Sequence, residues 1–468
     1  MKRVFSPVLA GCLVIIAGCG GGNGPFDTGD ECNVTEQNSQ IQGIMDAWYL
    51  AYDQLPNISP ASYNSPGAYL DALVEDVDFL LDDPVETAAD RYSFVVTQDQ
   101  EDDLIGAAFV GFGFSFRIVN DDEVQFAQVF GEYDEENLKT PASRAGFKRG
   151  YKILEIEGVP VAEIIADDPD NPVAAISEAL GERTVGVTRI ITYGDSDGNL
   201  IDDVTVVKED LVFNTVARYT VFDTGATRTG YLNFRSFASP SPDELAAAFQ
   251  IFNAARATDL IIDLRYNSGG LVSVAEYLAN LLQGIPAEGE VSFGEVYNDK
   301  LSNRNVTFRF AREADSLATI NKLVFITTPT TASASELVLN AMLPYVENGR
   351  LGDVAVVGSS SFGKPVGSLG FDVCNDLVLR PVTFQTVNAE GEGDYYDGFD
   401  PDCPAEDDLD FGFGDPREDS LAAALSYVET GACPVVTAQK LDALQAKAEK
   451  QRTEARQRGW GEILRDYH

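Results

Sequence analysis

The feature that most restricts the fold of this chain is the alternation of apolar runs and helical patterns from Gly230 onward. The strand-like runs are Gly230–Phe237, Leu260–Leu264, Lys322–Thr328 and Val354–Val357, and the helical patterns are Pro242–Ala254, Val272–Leu282 and Ala334–Val346. Because such alternation is typical of strands joined by crossover helices, it predicts an α/β domain with a largely parallel sheet. Functional sites in such domains lie at the carboxyl ends of the strands.

The remainder of the 468-residue chain divides by its patterns, and its length allows for about three domains. Residues 32–103 are predicted to form a helical cap, because apolar side chains recur there at helical spacing. Residues 104–208 carry short β-branched and aromatic runs between Gly and Asp turns, which predicts a β domain. The α/β domain is predicted over 209–433, and 434–468 is predicted to be a polar, helical and loosely attached tail.

Histidine occurs once, as the final residue, His468. A Ser–His–Asp triad, a Cys–His dyad and a histidine-ligated zinc site all need an imidazole held inside a folded site. Chain ends rarely provide such a position. Any catalysis by this chain must therefore use Lys, Asp, Glu or Tyr as its base.

The charge balance is strongly acidic, with 75 Asp and Glu residues against 33 Lys and Arg residues. Nucleic acids require clustered basic side chains, so a nucleic-acid partner is not expected. The acidic segment Asp195–Asn199 resembles part of a calcium loop but lacks the later ligands, and a hairpin turn is the preferred interpretation. We predict no metal site and no cofactor.

The N-terminus has the pattern of an export signal. Lys2 and Arg3 precede an apolar run over residues 4–17, which is too short to span a bilayer. The segment Ile16–Cys19 resembles the lipobox of bacterial lipoproteins. The pattern predicts a signal peptide over 1–18, acylation of Cys19, a flexible tether over 19–31, and a lipid-anchored protein of a bacterial cell envelope. Ordinary secretion with cleavage elsewhere is the alternative.

Four cysteines remain if Cys19 is acylated, and an even number in an oxidising compartment predicts two disulfides. Three pairings are possible. We expect Cys374–Cys403, which would close one long loop, and Cys32–Cys433, which would join the two ends of the chain. Loop-closure entropy favours none of the three strongly.

Two loops follow predicted strands and open predicted helices. Asp263–Gly270 ends in paired glycines, which permit a tight turn with free N–H groups of the kind an oxyanion hole needs. Thr330–Glu336 contains Ser333 and Ser335, each of which fits either a helix cap or a nucleophile on a strand-turn-helix elbow. Lys364 follows the next strand among apolar and aromatic residues, where burial would lower its pKa enough for a base. A solvated surface charge is the alternative for this lysine.

The segments DLRYNSGG, TTASASE and SSSFGKP, in this order, resemble the carboxyl-terminal-processing (tail-specific) proteases. The segment TPASRAGFKRGYKILEIEGVPV at 140–161 is similar to the PDZ domain of that family. The loop Gly111-Phe112-Gly113-Phe114 resembles the loop with which PDZ domains bind a peptide's terminal carboxylate. The resemblance covers residues 36 to about 430. It implies a helical cap, a PDZ-like domain and a ClpP/crotonase-like α/β protease domain.

The resemblance also implies roles for individual residues. Ser333 corresponds to the nucleophile and Lys364 to its base, with an acyl-enzyme as intermediate. The amides of Ala334 and of Gly269 or Gly270 correspond to the oxyanion hole. Glu336 stands at one position that the family uses to orient the lysine, whereas the acid that other members carry farther along the helix is absent around Leu343-Pro344-Tyr345.

Three functions follow from these patterns. The preferred one is a serine endopeptidase that cleaves exported, partly unfolded or C-terminally tailed proteins and binds their C-termini with its PDZ domain. The second is a lipid-anchored, non-catalytic scaffold of the same fold that captures peptide ends. The third, a calcium-dependent surface protein, depends only on the acidic loops. Protein or peptide substrates and the membrane are the expected partners.

Overall fold

The computed structural model describes residues 32–80, 89–120, 122–133, 139–225, 227–283 and 285–457. The predicted signal peptide, Cys19, the tether and His468 lie outside these residues. Among the described residues, no helix combines the length and the apolar composition needed to cross a membrane.

The N-terminal part is a helical layer with one short strand. Its elements are α1 (Val34–Trp48), α2 (Pro66–Val74), β1 (Phe94–Thr97) and α3 (Gln98–Gly106). Asn33 caps the N-terminus of α1, and its side chain accepts the N–H of Glu36. The apolar stripe of α1 is fully buried at Ile41 and Met45, as its helical spacing predicts.

The following segment is a twisted β domain with three short helices. Its elements are β2 (Ala108–Gly111), β3 (Phe114–Asn120), β4 (Glu123–Val129), α4 (Pro141–Arg144), β5 (Lys152–Ile156), β6 (Val159–Pro160), α5 (Val161–Asp167), α6 (Pro172–Leu180), β7 (Thr188–Gly194), β8 (Leu200–Val207) and β9 (Glu209–Val212). Its antiparallel sheet has the order β3-β4-β5-β7-β8, so β3 is an edge strand. Strands β7 and β8 form a hairpin, and the turn carboxylate of Asp195 accepts the N–H groups of Asp197 and Asn199. The hairpin interpretation of this acidic segment is confirmed.

The remainder of the chain forms the α/β domain and a C-terminal helix. The elements are β10 (Val216–Thr224), β11 (Thr227–Phe234), α7 (Ser241–Ala255), β12 (Asp259–Asp263), α8 (Val272–Gln283), β13 (Val291–Tyr297), β14 (Val306–Arg309), β15 (Lys322–Thr327), α9 (Ala334–Glu347), β16 (Asp353–Gly358), β17 (Val366–Ser368), β18 (Phe371–Val373), β19 (Leu377–Arg380), β20 (Val382–Asn388), β21 (Cys403–Pro404), α10 (Asp419–Thr430) and α11 (Ala438–Gln457).

The central sheet of this domain has the order β10-β11-β12-β15-β16-β21 and is parallel from β11 to β21. Apolar residues of α7, α8 and α9 pack on one face of the sheet, and those of α10 pack on the other. The predicted largely parallel sheet is therefore confirmed. A second, antiparallel sheet of order β14-β13-β20-β17 stands beside it, and β1 joins β19 and β18 in a third.

The disulfides differ from the expected pairing. Cys32 is bonded to Cys374 and Cys403 to Cys433, with Cα–Cα distances of 6.0 and 5.2 Å. The expectation of Cys374–Cys403 and Cys32–Cys433 is wrong. The physical reason is that α1 packs beside β18, which brings residue 32 to Cys374. Strand β21 pairs with β16, on which α10 packs, and this brings Cys403 to Cys433, which follows α10.

Helix α11 is attached to the domain more firmly than its polar sequence indicates. Ala455 is buried, and the guanidinium groups of Arg452 and Arg456 donate to the carbonyls of Asp397 and Tyr396 at 3.1 and 2.9 Å. The prediction of a helix is confirmed, whereas the expectation of loose attachment is wrong.

Candidate active site

Three loops meet at the carboxyl ends of β12, β15 and β16. They are residues 264–271, 328–333 and 359–365, and together with α3, β2 and parts of β13, β17 and β20 they surround a cavity of about 570 Å³. Because adjacent parallel strands end at the same edge of the sheet, their loops converge there. The cavity brings Ser333, Lys364, Gly269 and Gly270 together.

Ser333 occupies a strained turn at the start of α9. Its backbone has φ +56° and ψ −116°, a conformation that non-glycine residues rarely adopt. The turn is held to the glycine loop because the Thr331 hydroxyl donates to the Leu264 carbonyl at 2.8 Å and the Ser335 hydroxyl donates to the Asn267 carbonyl at 3.0 Å. Ser335 is therefore a structural residue, whereas Ser333 lines the cavity at the N-terminus of a helix.

The two candidate amides of the glycine loop, those of Gly269 and Gly270, differ in their hydrogen bonds. The N–H of Gly269 donates to the Asn267 side chain at 2.9 Å, so it is already occupied. Among the described residues, the N–H groups of Gly270 and Ala334 have no backbone or side-chain acceptor. A side chain at Gly269 would place its Cβ 2.8 Å from the Cβ of Ser333. The loop thus requires glycine there and presents Gly270 and Ala334 as free donors.

Lys364 is buried, with only 5% of its surface exposed, and it lines the same cavity. Burial lowers the pKa of Lys364 to about 7, although the negative charges of Asp90 and Glu336 oppose this shift. Tyr92, from the N-terminal part, donates its hydroxyl to the carbonyl of Gly363 at 2.6 Å and fixes the loop that carries the lysine. A lysine with this pKa is partly neutral at pH 7 and can accept a proton.

Glu336 joins the serine turn to the lysine loop. Its carboxylate accepts the N–H groups of Ser333, Gly363 and Lys364 at 2.9, 2.7 and 2.8 Å and the hydroxyl of Ser361 at 2.6 Å. Burial raises the pKa of Glu336, and these hydrogen bonds oppose the shift. Glu336 therefore holds the backbone N–H of Lys364. The resemblance implied instead a residue that orients the side chain of the lysine.

A buried ionic cluster, centred on Asp407, lies behind the glycine loop. The Asp407 carboxylate contacts the guanidinium groups of Arg117, Arg149 and Arg265 at 2.6, 2.6 and 2.9 Å. Burial disfavours its ionised form, but the attraction of these three cations outweighs burial and holds the pKa of Asp407 well below its ordinary value. Arg117 and Arg149 belong to the β domain and Arg265 to the glycine loop, so the cluster joins the two domains at the site.

Replacement of Asp407 by asparagine is expected to lower the free energy of unfolding by about 3 to 5 kcal/mol, because the buried arginines lose their shared counterion. Urea denaturation of both proteins measures the change. Asp415→Asn is the matched control: its ion pair with Arg417 is exposed, and we expect little change. Equal stabilities for the Asp407 variant and the unmodified protein would contradict this account of the cluster.

The loop Gly111–Phe114 connects β2 to β3. Phe112 and Phe114 point into the core of the β domain, and Gly113 has φ +95°. The N–H groups of Phe112 and Gly113 have no backbone or side-chain acceptor within the described ranges. Strand β2 lines the cavity with Ala108, Phe109 and Val110, and this loop follows it directly in the chain.

Sequence reasoning missed several residues of the site. Tyr92, Glu295, Arg380 and Asp407 contact or line it, but each lies in a segment without a recognisable motif. Their positions follow from the packing of separate sheets, which residue spacing does not encode.

Comparison with known proteins agrees with this architecture. The family model described as peptidase family S41 matches residues 228–405, and the one described as peptidase S41 N-terminal domain matches residues 36–94. A carboxy-terminal-processing protease of Bartonella bacilliformis is 23% identical over 274 residues, covering 58% of this chain and 57% of the relative. Carboxyl-terminal-processing peptidase 3 of Arabidopsis thaliana is 26% identical over 234 residues, covering 48% and 41%. The chain thus spans about half the length of these curated relatives.

A solved structure of an S41-type protein from Bacteroides fragilis has the same fold. It superimposes with a TM-score of 0.65 at 23% identity, covering 83% of this chain and 96% of that one. At this identity the likeness concerns the fold.

Proposed function

Since the chain belongs to peptidase family S41, we propose that it is a serine endopeptidase in which Ser333 is the nucleophile and Lys364 its base. One observation carries the proposal: a serine on a strained helix-opening turn and a buried lysine with a pKa of about 7 line the same cavity as Gly270, whose N–H has no acceptor among the described residues. The described residues contain no histidine, which supports a base other than imidazole.

The proposed reaction begins when neutral Lys364 takes the hydroxyl proton of Ser333. The oxygen attacks the peptide carbonyl carbon, and the N–H groups of Gly270 and Ala334 stabilise the resulting oxyanion. As the carbon–nitrogen bond breaks, the Lys364 ammonium returns the proton to the leaving amine, and an ester joins the acyl group to Ser333. Water then attacks the ester, giving a proton to Lys364. The serine oxygen recovers that proton on leaving, and the peptide carboxylic acid is released as its carboxylate after losing its remaining proton to solvent.

The proposed substrates are exported proteins that are partly unfolded or carry unstructured C-terminal tails. The loop Gly111–Phe114 supports this, because the N–H groups of Phe112 and Gly113 have no acceptor in the part of the chain that the structure describes and suit a terminal carboxylate. The adjacent edge strand β3 can pair with an extended peptide. In this proposal the β domain acts as a PDZ domain that binds the tail while a more upstream peptide bond enters the cavity.

The proposed location is the bacterial cell envelope, with the enzyme anchored by acylated Cys19. Support comes from the lipobox-like segment Ile16–Cys19 and from two disulfides, which form in oxidising compartments.

The direct test of the function is digestion of an unfolded protein, such as casein, by the purified chain from about Gly24 onward. We expect fragments to accumulate with the unmodified enzyme, to be absent with Ser333→Ala, and to persist with Ser59→Ala, an exposed-serine control. Casein that stays intact with all three proteins would contradict the endopeptidase proposal and support the alternative of a non-catalytic peptide-binding scaffold.

The dependence of activity on pH follows from the pKa of Lys364. Only the neutral lysine can accept the serine proton, so kcat/KM for a peptide is expected to rise with pH and to reach half of its plateau near pH 7. Initial rates measured between pH 5.5 and 9 determine this midpoint. A midpoint near 10, the ordinary value for lysine, or activity that increases toward acid would contradict the assignment of Lys364 as base.

A further inference from the structure

A carboxylate that the proposed reaction does not use lies in the catalytic cavity. Glu295, on β13, is 9% exposed and lines the same cavity as Ser333 and Lys364. Its strand belongs to the antiparallel sheet beside the central one, and the residue faces the cavity from the wall formed by β13, β20 and β17.

Within the described part of the chain, Glu295 has no cationic partner. Its hydrogen-bond partner is the Tyr297 hydroxyl at 3.0 Å, and no ion pair of the described residues includes Glu295. Burial raises the pKa of Glu295, and the Tyr297 hydroxyl opposes the shift. By contrast, Glu101 in the same cavity forms an ion pair with Arg380. A buried carboxylate without a cation is costly, so its presence in a substrate cavity points to a cation that arrives with the substrate.

The surface beside Glu295 is apolar. Glu295 is paired across the strands with Thr386, two residues from Phe384, so the side chains of Glu295 and Phe384 lie on the same face of the sheet. Gly367 packs against the Phe384 ring, and Leu369 completes this wall. An apolar wall that ends at a carboxylate matches a lysine or arginine side chain, whose methylene stem packs while its charged end binds.

We propose that Glu295 is the acidic end of a substrate subsite that binds a lysine or arginine side chain near the cleaved bond. This inference rests on the proposed function, since it takes the cavity of Ser333 as the peptide-binding cavity. It adds a preference for basic residues within the tails that the enzyme cleaves.

The test measures binding, so it does not depend on cleavage. Fluorescent peptides with an amidated C-terminus, which removes the carboxylate that a PDZ loop binds, are titrated into the full Ser333→Ala protein. One series carries lysine at successive positions, and a matched series carries norleucine, which lacks only the amine. At one position we expect lysine to bind about tenfold more tightly than norleucine, as for a hydrogen bond between charged groups.

The Ser333→Ala/Glu295→Gln protein is expected to bind both series equally. The matched control is Ser333→Ala/Tyr297→Phe, which removes the hydrogen-bond donor of Glu295 and keeps its charge, so the lysine preference should persist there. If no position favours lysine, or if the preference for lysine persists in Glu295→Gln, the proposal of a basic-residue subsite is wrong. This outcome is independent of the casein digestion, which tests the proposed function.

A second measurement separates the subsite from catalysis. With an intact Ser333, the ratio of kcat/KM for the lysine peptide to kcat/KM for the norleucine peptide should fall to about one in the Glu295→Gln enzyme, whatever the change does to cleavage of the norleucine peptide itself. Equal loss of cleavage of both peptides would overturn the proposal, because Glu295 would then act on the fold or the reaction rather than on substrate choice.

Discussion

In the Lys364→Met variant, kcat for peptide hydrolysis is expected to fall by about 1,000-fold or more. Methionine fills much of the lysine's volume but cannot accept the Ser333 proton, and general-base catalysis contributes about 10² to 10⁴ in rate. The single histidine is at the end of the chain, so no imidazole in the described residues can replace the lost base. Steady-state cleavage of a quenched fluorescent peptide measures kcat and KM separately.

The free energy of unfolding of the Lys364→Met protein is expected to equal or exceed that of the unmodified protein. The reason is that the substitution removes a buried basic group whose charged form is costly to bury. Lys450→Met, at an exposed position on α11, is the control and should retain full activity. A Lys364→Met enzyme that keeps a substantial part of kcat would show that another group takes the serine proton.

Replacement of Glu336 by alanine is expected to lower both the free energy of unfolding and kcat. The change leaves three backbone N–H groups and the Ser361 hydroxyl without their acceptor in the interior. Each unsatisfied buried donor costs about 1 to 3 kcal/mol, so we expect a loss of at least about 4 kcal/mol in unfolding free energy. Since the same contacts join the turn of Ser333 to the loop of Lys364, kcat should also fall by about 100-fold.

The conservative variant Glu336→Gln distinguishes the effect of the Glu336 hydrogen bonds from the effect of its negative charge. Glutamine keeps one acceptor oxygen and should recover part of the stability. It removes a negative charge that raises the pKa of Lys364, so the acidic limb of the pH–rate profile should move to lower pH than in the unmodified enzyme. Glu163→Gln, exposed on α5, is the control for both measurements. An unshifted profile together with unmodified kcat would show that Glu336 has no influence on the lysine.

Part of the α/β domain was predictable, because the burial pattern of its central elements is local: these are strands β11, β12, β15 and β16 and helices α7, α8 and α9. Strands β12, β15 and β16 and helices α8 and α9 begin and end within one or two residues of the predicted bounds. An apolar run buried on both faces of a parallel sheet is encoded in consecutive residues, and glycine marks the turns. The serine, lysine and glycine loops were predictable for the same reason, since each directly follows such a strand.

The contacts between distant segments were not predictable. Loop-closure entropy did not distinguish the three disulfide pairings, and the packing of α1 beside β18 decided for Cys32–Cys374. The choice of Gly270 over Gly269 depended on the Asn267 side chain, which occupies one of the two amides. The residues around Asp407 and Glu295 come from other sheets, so the sequence next to Asp407 or Glu295 does not indicate that either lies at the site.

The most direct test of the central claim is reaction of the protein with a fluorophosphonate, which phosphonylates activated serine hydroxyls, followed by mass spectrometry of the peptides. We predict one adduct, on Ser333, that forms faster as the pH rises through 7 and is nearly abolished in Lys364→Met, while Lys450→Met reacts like the unmodified protein. An adduct on another serine, or labelling of Ser333 at the same rate without Lys364, would contradict the Ser333–Lys364 assignment.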